Sequence, residues 1–275
     1  SANLVKGDPL ADVHLKGLSP VGVPKWLAGT NLIFHYNNIE EFRRLVKEND
    51  GQIAAVIMEP IRNDYPEPGY LEEIRRTTKE KGIVLIFDEI TAGFRLCAGG
   101  SHLKLGVNPD IAVFAKAMTN GYPVSAIVGV KEIMEAAQDT FISSTFWTER
   151  IAFAATVTSI DCYQKYNVSE HQACIGKKVQ NGWEEIADER GVRIHITGIY
   201  ALSHFEFQYE NSLAYKTYFT QEMLERGFLA GTGLYVSLAH TDAIVDKYLK
   251  ACEAVFEKIS VINSKSENII DYLKG

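Results

Sequence analysis

Four short runs of the chain, 53–58, 83–87, 111–114 and 124–128, are apolar at nearly every position rather than at alternate ones. A strand with one face in water alternates apolar and polar residues. A strand that is apolar throughout is covered on both faces, as happens when helices sandwich a parallel sheet. The segments between the runs agree, because 40–49 and 69–81 carry apolar residues at helical spacing with charges on the remaining face. Alternating strand and helix predicts an α/β fold with a mostly parallel sheet and helices on both faces. Segments 131–138 and 149–166 read as helices, and Ser169 is placed to cap a long helix that runs to about 190. Beyond Gly191 the pattern changes. Runs 193–196 and 202–208 alternate, 213–226 is a helix stopped by Gly227, 235–238 is a short strand, and 241–259 is an amphipathic helix. This second part reads as a smaller C-terminal α+β domain, so the expected domains are 1–165 and 166–275. Residues 1–30, rich in Gly and Pro, and 60–68 are expected to be irregular.

Several function classes are excluded by composition. The net charge is −7 with no cluster of Lys or Arg, which leaves no footprint for nucleic acid. Cys97, Cys162, Cys174 and Cys252 form neither a zinc spacing nor a disulfide framework, and read as free thiols of a cytoplasmic protein. The histidines are scattered without ligand spacing, so no metal is expected. No run is long enough to span a membrane, and the first residues lack the apolar core of a signal peptide. Gly99-Gly100-Ser101 lacks the spacing of a dinucleotide loop, and Ser143-Ser144 has no nucleophile elbow around it.

The chemistry concentrates at two strand ends. Run 83–87 stops at Asp88-Glu89, and run 111–114 leads into Lys116 just ahead of Thr119-Asn120-Gly121-Tyr122-Pro123. The acid pair has three readings: a solvated strand end, a magnesium-binding strand of a P-loop enzyme, or a carboxylate for an organic cofactor. The second needs a Gly-x4-Gly-Lys-Ser/Thr loop, which the chain lacks. The third fits a pyridine ring whose nitrogen stays protonated beside a negative charge. A lysine at the end of a buried strand is partly desolvated, which favours the neutral, nucleophilic amine. Carboxylate and lysine are the two protein groups that pyridoxal phosphate chemistry requires.

Phe87-Asp88-Glu89-Ile90-Thr91-Ala92-Gly93-Phe94-Arg95, followed by Pro109-Asp110 and Lys116, resembles the class III aminotransferases, in particular their glutamate-1-semialdehyde aminomutase-like branch. Ala54-Ala55-Val56-Ile57-Met58-Glu59-Pro60, Ser144-Thr145, Leu224-Glu225-Arg226-Gly227 and Ser237-Leu238-Ala239-His240-Thr241 match in family order. The resemblance implies the large domain of PLP fold type I, and pyridoxal 5'-phosphate as cofactor. Lys116 would form the Schiff base and carry the proton, and Asp88 would pair with the ring nitrogen. Ile90 would pack on a ring face, and Thr145 would donate to the cofactor phosphate across the interface of a homodimer that shares its active sites. Glu59 and Asn63 would line the site region. The implied reaction is amino group transfer between an amino acid donor and a small carbonyl acceptor, such as a semialdehyde or a sugar-type precursor.

The departures from the family pattern are specific. Thr91 and Ala92 occupy the stretch where many members carry a Gln that reaches the ring hydroxyl. Segment 228–236 is short and lacks an acid, which favours plain transamination over the internal amine migration of the aminomutase. Trp147-Thr148-Glu149-Arg150 replaces the usual Gly-Asn-Pro, as in the branch acting on sugars. The front of the family's chain, with its phosphate-gripping turn and stacking aromatic ring, has no counterpart in residues 1–40. The alternative to an active transaminase is therefore a truncated remnant without turnover, and the aminomutase is the second alternative.

Overall fold

The computed structural model describes residues 24, 26 and 29–274. The expected loop-rich entry at 1–30 thus lies almost wholly outside the described residues. Contacts divide the chain into two units, one of residues 1–56 and 66–83, the other of 57–65 and 84–275. The boundary expected at 165/166 falls inside the second unit.

The first unit holds two helices. Helix α1 (Ile39–Glu48) begins where the Asn38 side chain accepts the amide of Glu41, with Glu40 and Glu41 in the first turn and Lys47 in the last. That order of charges suits the helix dipole. Helix α2 (Tyr70–Lys81) ends at Gly82, a left-handed residue with φ 67°. Arg43 bridges Glu40 and Glu73, and Lys81 reaches Asp50 at 2.8 Å. Phe42, Val46, Tyr70, Leu71 and Ile74 are buried. Burial pushes the Tyr70 hydroxyl up to about 12.

Strands β1 (Ala55–Met58), β2 (Val84–Asp88), β3 (Ile111–Phe114) and β4 (Ala126–Gly129) form one sheet in that order. β2 and β3 are parallel with Asp88 opposite Val113, whereas β4 runs antiparallel to β3. Asp110 fixes the register by closing a pair of bonds with Leu85: its carboxylate accepts the Leu85 amide and its own amide donates to the Leu85 carbonyl, each at 2.8 Å. Phe94, Ala112, Phe114, Met118 and Tyr163 form the core on one face of this sheet. A short helix α3 (His102–Leu105) precedes β3, and α4 (Lys131–Met134) follows β4 and passes into a 3-10 turn at Glu135–Asp139.

Helices α5 (Arg150–Lys165) and α6 (Val168–Arg190) are joined by only two residues. Glu149 caps α5 by accepting the amides of Ile151 and Ala152 at 2.8 and 3.0 Å. Ser169 does not cap α6. The chain reverses on Asn167, at φ 47°, which takes the capping position without a side-chain bond and leaves Ser169 inside the helix.

The second sheet is antiparallel throughout, with order β5 (Ile194–Thr197), β6 (Leu202–Phe207), β7 (Gly233–Tyr235). β7 lies earlier than the expected 235–238. Gly233 faces His204, where an added Cβ would come within 2.6 Å of the imidazole, and Ser237 turns away to give its amide to His240 Nδ1 at 3.0 Å. Helices α6, α7 (Ser212–Glu225) and α8 (Asp242–Ser264) contribute to a core centred on Phe205, which meets Trp183, Phe207, Phe219 and Phe256 edge-on. Edge-to-face rings add to the hydrophobic gain, which explains why this core tolerates so many aromatics. The fully buried Cys252 thiol is pushed up to about 12 by its surroundings.

Candidate active site

Parallel pairing of β2 and β3 sends Asp88 and Lys116 to the same end of the sheet. Asp88 is the last residue of β2, and Lys116 lies two residues past the end of β3. Ligands in open α/β sheets collect at these carboxyl ends. The half-buried Asp88 accepts the amide of Ile90 on Oδ1 at 3.0 Å, and this is its carboxylate's only hydrogen bond among the described residues. One carboxylate oxygen is therefore left for an incoming donor.

Lys116 opens a 3-10 turn, Lys116–Met118, with a left-handed φ of 47°. A non-glycine residue there carries a steric cost of order 1 kcal/mol. Met118 donates to the Ala115 carbonyl at 3.0 Å, and Asn120 to that of Lys116 at 3.0 Å, so the turn holds the strained residue in place. The Lys116 Nζ donates to Thr91 Oγ1 at 2.8 Å. Thr91 is three residues beyond Asp88 and buried, so the amine is brought against the turn that carries the carboxylate.

That turn is pinned from behind by Glu89, which points away from Asp88 as neighbours on a strand must. Glu89 has 0% exposure. Its carboxylate accepts the amides of Ser101 and His102 at 2.9 and 3.0 Å, the Ser101 hydroxyl at 2.9 Å, and meets His102 Nδ1 at 2.9 Å. Burial alone would raise this carboxyl; the bonds from His102 and Ser101 outweigh it and hold the group below the usual carboxylate value. Two glycines make the clamp possible. A Cβ on Gly93 would stand 2.6 Å from the Glu89 carbonyl, and one on Gly100 would stand 2.2 Å from the His102 ring and 2.9 Å from Glu89 Oε1.

Among the described residues, the other expected residues make no hydrogen bond to this amine. Ile90 is half-buried next to Asp88. Glu59 pairs with Arg62 at 3.1 Å, and Asn63 is exposed, with its carbonyl accepting the Gly198 amide at 2.6 Å. Thr145 is exposed in an irregular stretch ahead of α5, flanked by exposed Phe141, Phe146 and Trp147, and no contact among the described residues joins it to Lys116. Sequence reasoning missed two features, the Glu89 clamp and the Thr91 contact. Strand alternation through Asp88-Glu89 carried a signal for the first, since it sends one acid into the interior. A cavity of about 620 Å³ lies beside the site, lined by Arg95, Thr119, Tyr122, Tyr163, Gln172 and Ser237 among others.

A primary amine, exposed rather than desolvated as the sequence suggested, and a half-buried carboxylate with one oxygen unpaired among the described residues stand at the ends of adjacent parallel strands and fit the carbonyl carbon and ring nitrogen of pyridoxal phosphate. The family model of class-III aminotransferases matches residues 20–259. The chain belongs to the class III aminotransferases. It is similar to 3-aminobutyryl-CoA aminotransferase from Cloacimonas acidaminovorans, 32% identical, with 84% of this chain aligned to 58% of that protein. Glutamate-1-semialdehyde 2,1-aminomutase from Methanococcoides burtonii is 30% identical, with 91% of this chain aligned to 64% of that protein. Among solved structures, the PLP internal aldimine form of the FumI protein from Sphingopyxis sp. MTA144 superposes with a TM-score of 0.84 at 24% identity, covering 92% of this chain and 63% of that one. This class III chain thus has the fold of a PLP transaminase, and spans about three fifths of the length of the relatives it matches.

Proposed function

We propose that this chain carries the reactive half of a pyridoxal phosphate-dependent transaminase, moving an amino group from an amino acid donor to a small carbonyl acceptor. The observation that carries this reading is the contact between Lys116 Nζ and Thr91, which sets the amine against the turn bearing Asp88. When bound, pyridoxal phosphate supplies an aldehyde that condenses with amines and a ring that draws electrons from the adjacent substrate carbon. Lys116 would hold the aldehyde carbon through Nζ, and the same nitrogen, when free, would carry the proton at the substrate carbon. The Asp88 carboxylate keeps a proton on the ring nitrogen. Ile90, next in line, packs against the ring, while Glu59 and Asn63 line the approach.

Thr145 is assigned to the phosphate of a neighbouring subunit's cofactor. The exposed Phe141, Phe146 and Trp147 around it support burial in a homodimer, since exposed aromatic clusters mark interfaces. Residues 1–165 are assigned to the cofactor domain and 166–275 to the small domain; the latter's own sheet and aromatic core support that division. Among the described residues no helix is long and apolar enough to cross a membrane; a cytoplasmic location is part of the proposal.

The test is spectroscopic. Adding pyridoxal phosphate produces a visible band that borohydride removes and that Lys116→Ala lacks. Asp88→Ala keeps the band but slows loss of the donor's α-hydrogen far more than it weakens binding; equal loss of both refutes the role given to Asp88. A flat spectrum from the folded wild-type chain selects the alternative without turnover. Conversion of glutamate-1-semialdehyde without an external amino donor selects the aminomutase.

A further inference from the structure

Among the described residues, Thr91 is the hydrogen-bond partner of the proposed nucleophile, and the family resemblance assigned it no role. It is 3% exposed, yet its hydroxyl faces Lys116 and accepts from Nζ at 2.8 Å. Its backbone is fixed on both sides. Before it, Glu89 is clamped by Ser101 and His102; after it, the Gly93 amide donates to the Glu89 carbonyl at 2.8 Å and the Phe94 amide to the Gly99 carbonyl at 2.8 Å. The lysine, by contrast, ends a flexible four-carbon stem, and such a stem carries about 2 kcal/mol of rotamer freedom. Among the described residues, the hydrogen bonds that restrain it are those of its backbone turn and this one oxygen.

We infer that Thr91 is a positioning residue that holds the Lys116 amine in its reactive orientation whenever Lys116 is not covalently engaged. This rests on the assignment of Lys116 above and deepens it. A rigid acceptor aimed at a mobile amine lowers the entropic cost of attack on an aldehyde, because the nucleophile waits in one orientation. It also gives the displaced amine a resting point from which it returns its proton. Val at this position would keep the volume and remove the oxygen; Ser would keep the oxygen and remove the methyl.

Competitive labelling with pyridoxal, which needs no phosphate grip, tests this. Each lysine amine adds to the aldehyde carbon and water leaves; borohydride then delivers hydride to that carbon and the nitrogen takes a proton, leaving a stable secondary amine. Peptide masses give the initial labelling rate of Lys116 relative to Lys131, an exposed lysine on α4. The expected result is preferential labelling of Lys116 in the wild type. That preference falls about fivefold in Thr91→Val, the size of one ordinary hydrogen bond from a neutral amine, and stays within about twofold in Thr91→Ser. Should Thr91→Val lose its circular dichroism signal, Thr91→Cys makes the same comparison, since a thiol fills the space with a weak hydrogen bond. A wild-type preference that persists in Thr91→Val or Thr91→Cys overturns the inference and leaves Lys116 as the nucleophile. No preference in the wild type overturns both.

Discussion

Replacing Glu89 by Ala removes a carboxylate that touches nothing in the proposed chemistry but holds the loop between the two reactive strands. The substitution strands the amides of Ser101 and His102, both directed at a site that solvent does not reach. A buried donor without a partner costs about 1–3 kcal/mol, so the two together give about 2–4 kcal/mol once partial wetting at the half-buried His102 is allowed. At about 1.4 kcal/mol per decade, these two amides should exchange their hydrogens about 30- to 1000-fold faster than in the wild type, while amides of β6 keep their rates. Hydrogen exchange read by NMR or mass spectrometry resolves this locally, where a global melt would mix the two units of the chain. Glu89→Gln should fall between, because one amide oxygen still accepts. Acid should mimic the mutation: the carboxyl is held low in the folded chain, so its contribution is present above the unfolded value near ~4.3 and is lost as pH falls through the folded value. Unchanged exchange at 101 and 102 in Glu89→Ala would refute the clamp.

Other consequences are independent of that loop. Phe205→Ala, which empties the centre of the aromatic core, should destabilise the second unit by about 3–5 kcal/mol in urea titration; a loss under about 1 kcal/mol would mean the surrounding rings do not depend on it. Iodoacetamide at neutral pH should modify the exposed Cys162 and Cys174 in the native chain and reach Cys252 only after unfolding, because that thiol is fully buried and pushed up to about 12. Gly93→Ala should be far more damaging than an ordinary glycine substitution, since its Cβ meets the backbone carbonyl of Glu89, and limited proteolysis between 89 and 101 should reveal the opened turn.

Much of this architecture was legible before any coordinates. The continuous apolar runs located all four strands of the first sheet, and the switch to alternation past Gly191 located β5 and β6. Boundaries drifted where local pattern gave way to tertiary pairing. Helix α8 continues five residues beyond the expected end at 259, because Ile262 still faces the core. β4's direction was not legible at all, since an apolar run carries no arrow; it is set by the pairing of Val113 with Ile127. At the site, Asp88 and Lys116 stood out because each closes an apolar run and together they are the two groups that pyridoxal phosphate chemistry requires. Thr91 did not, because a hydroxyl in a turn has no distinguishing pattern until the lysine that meets it, 25 positions later, is folded against it.

Crystallography of the chain with pyridoxal phosphate bears most directly on the central claim. Electron density should run continuously from Nζ of Lys116 to the cofactor's aldehyde carbon, with an oxygen of Asp88 within hydrogen-bond distance of the ring nitrogen. A cofactor bound through another lysine, or a ring nitrogen facing some other group, would contradict it.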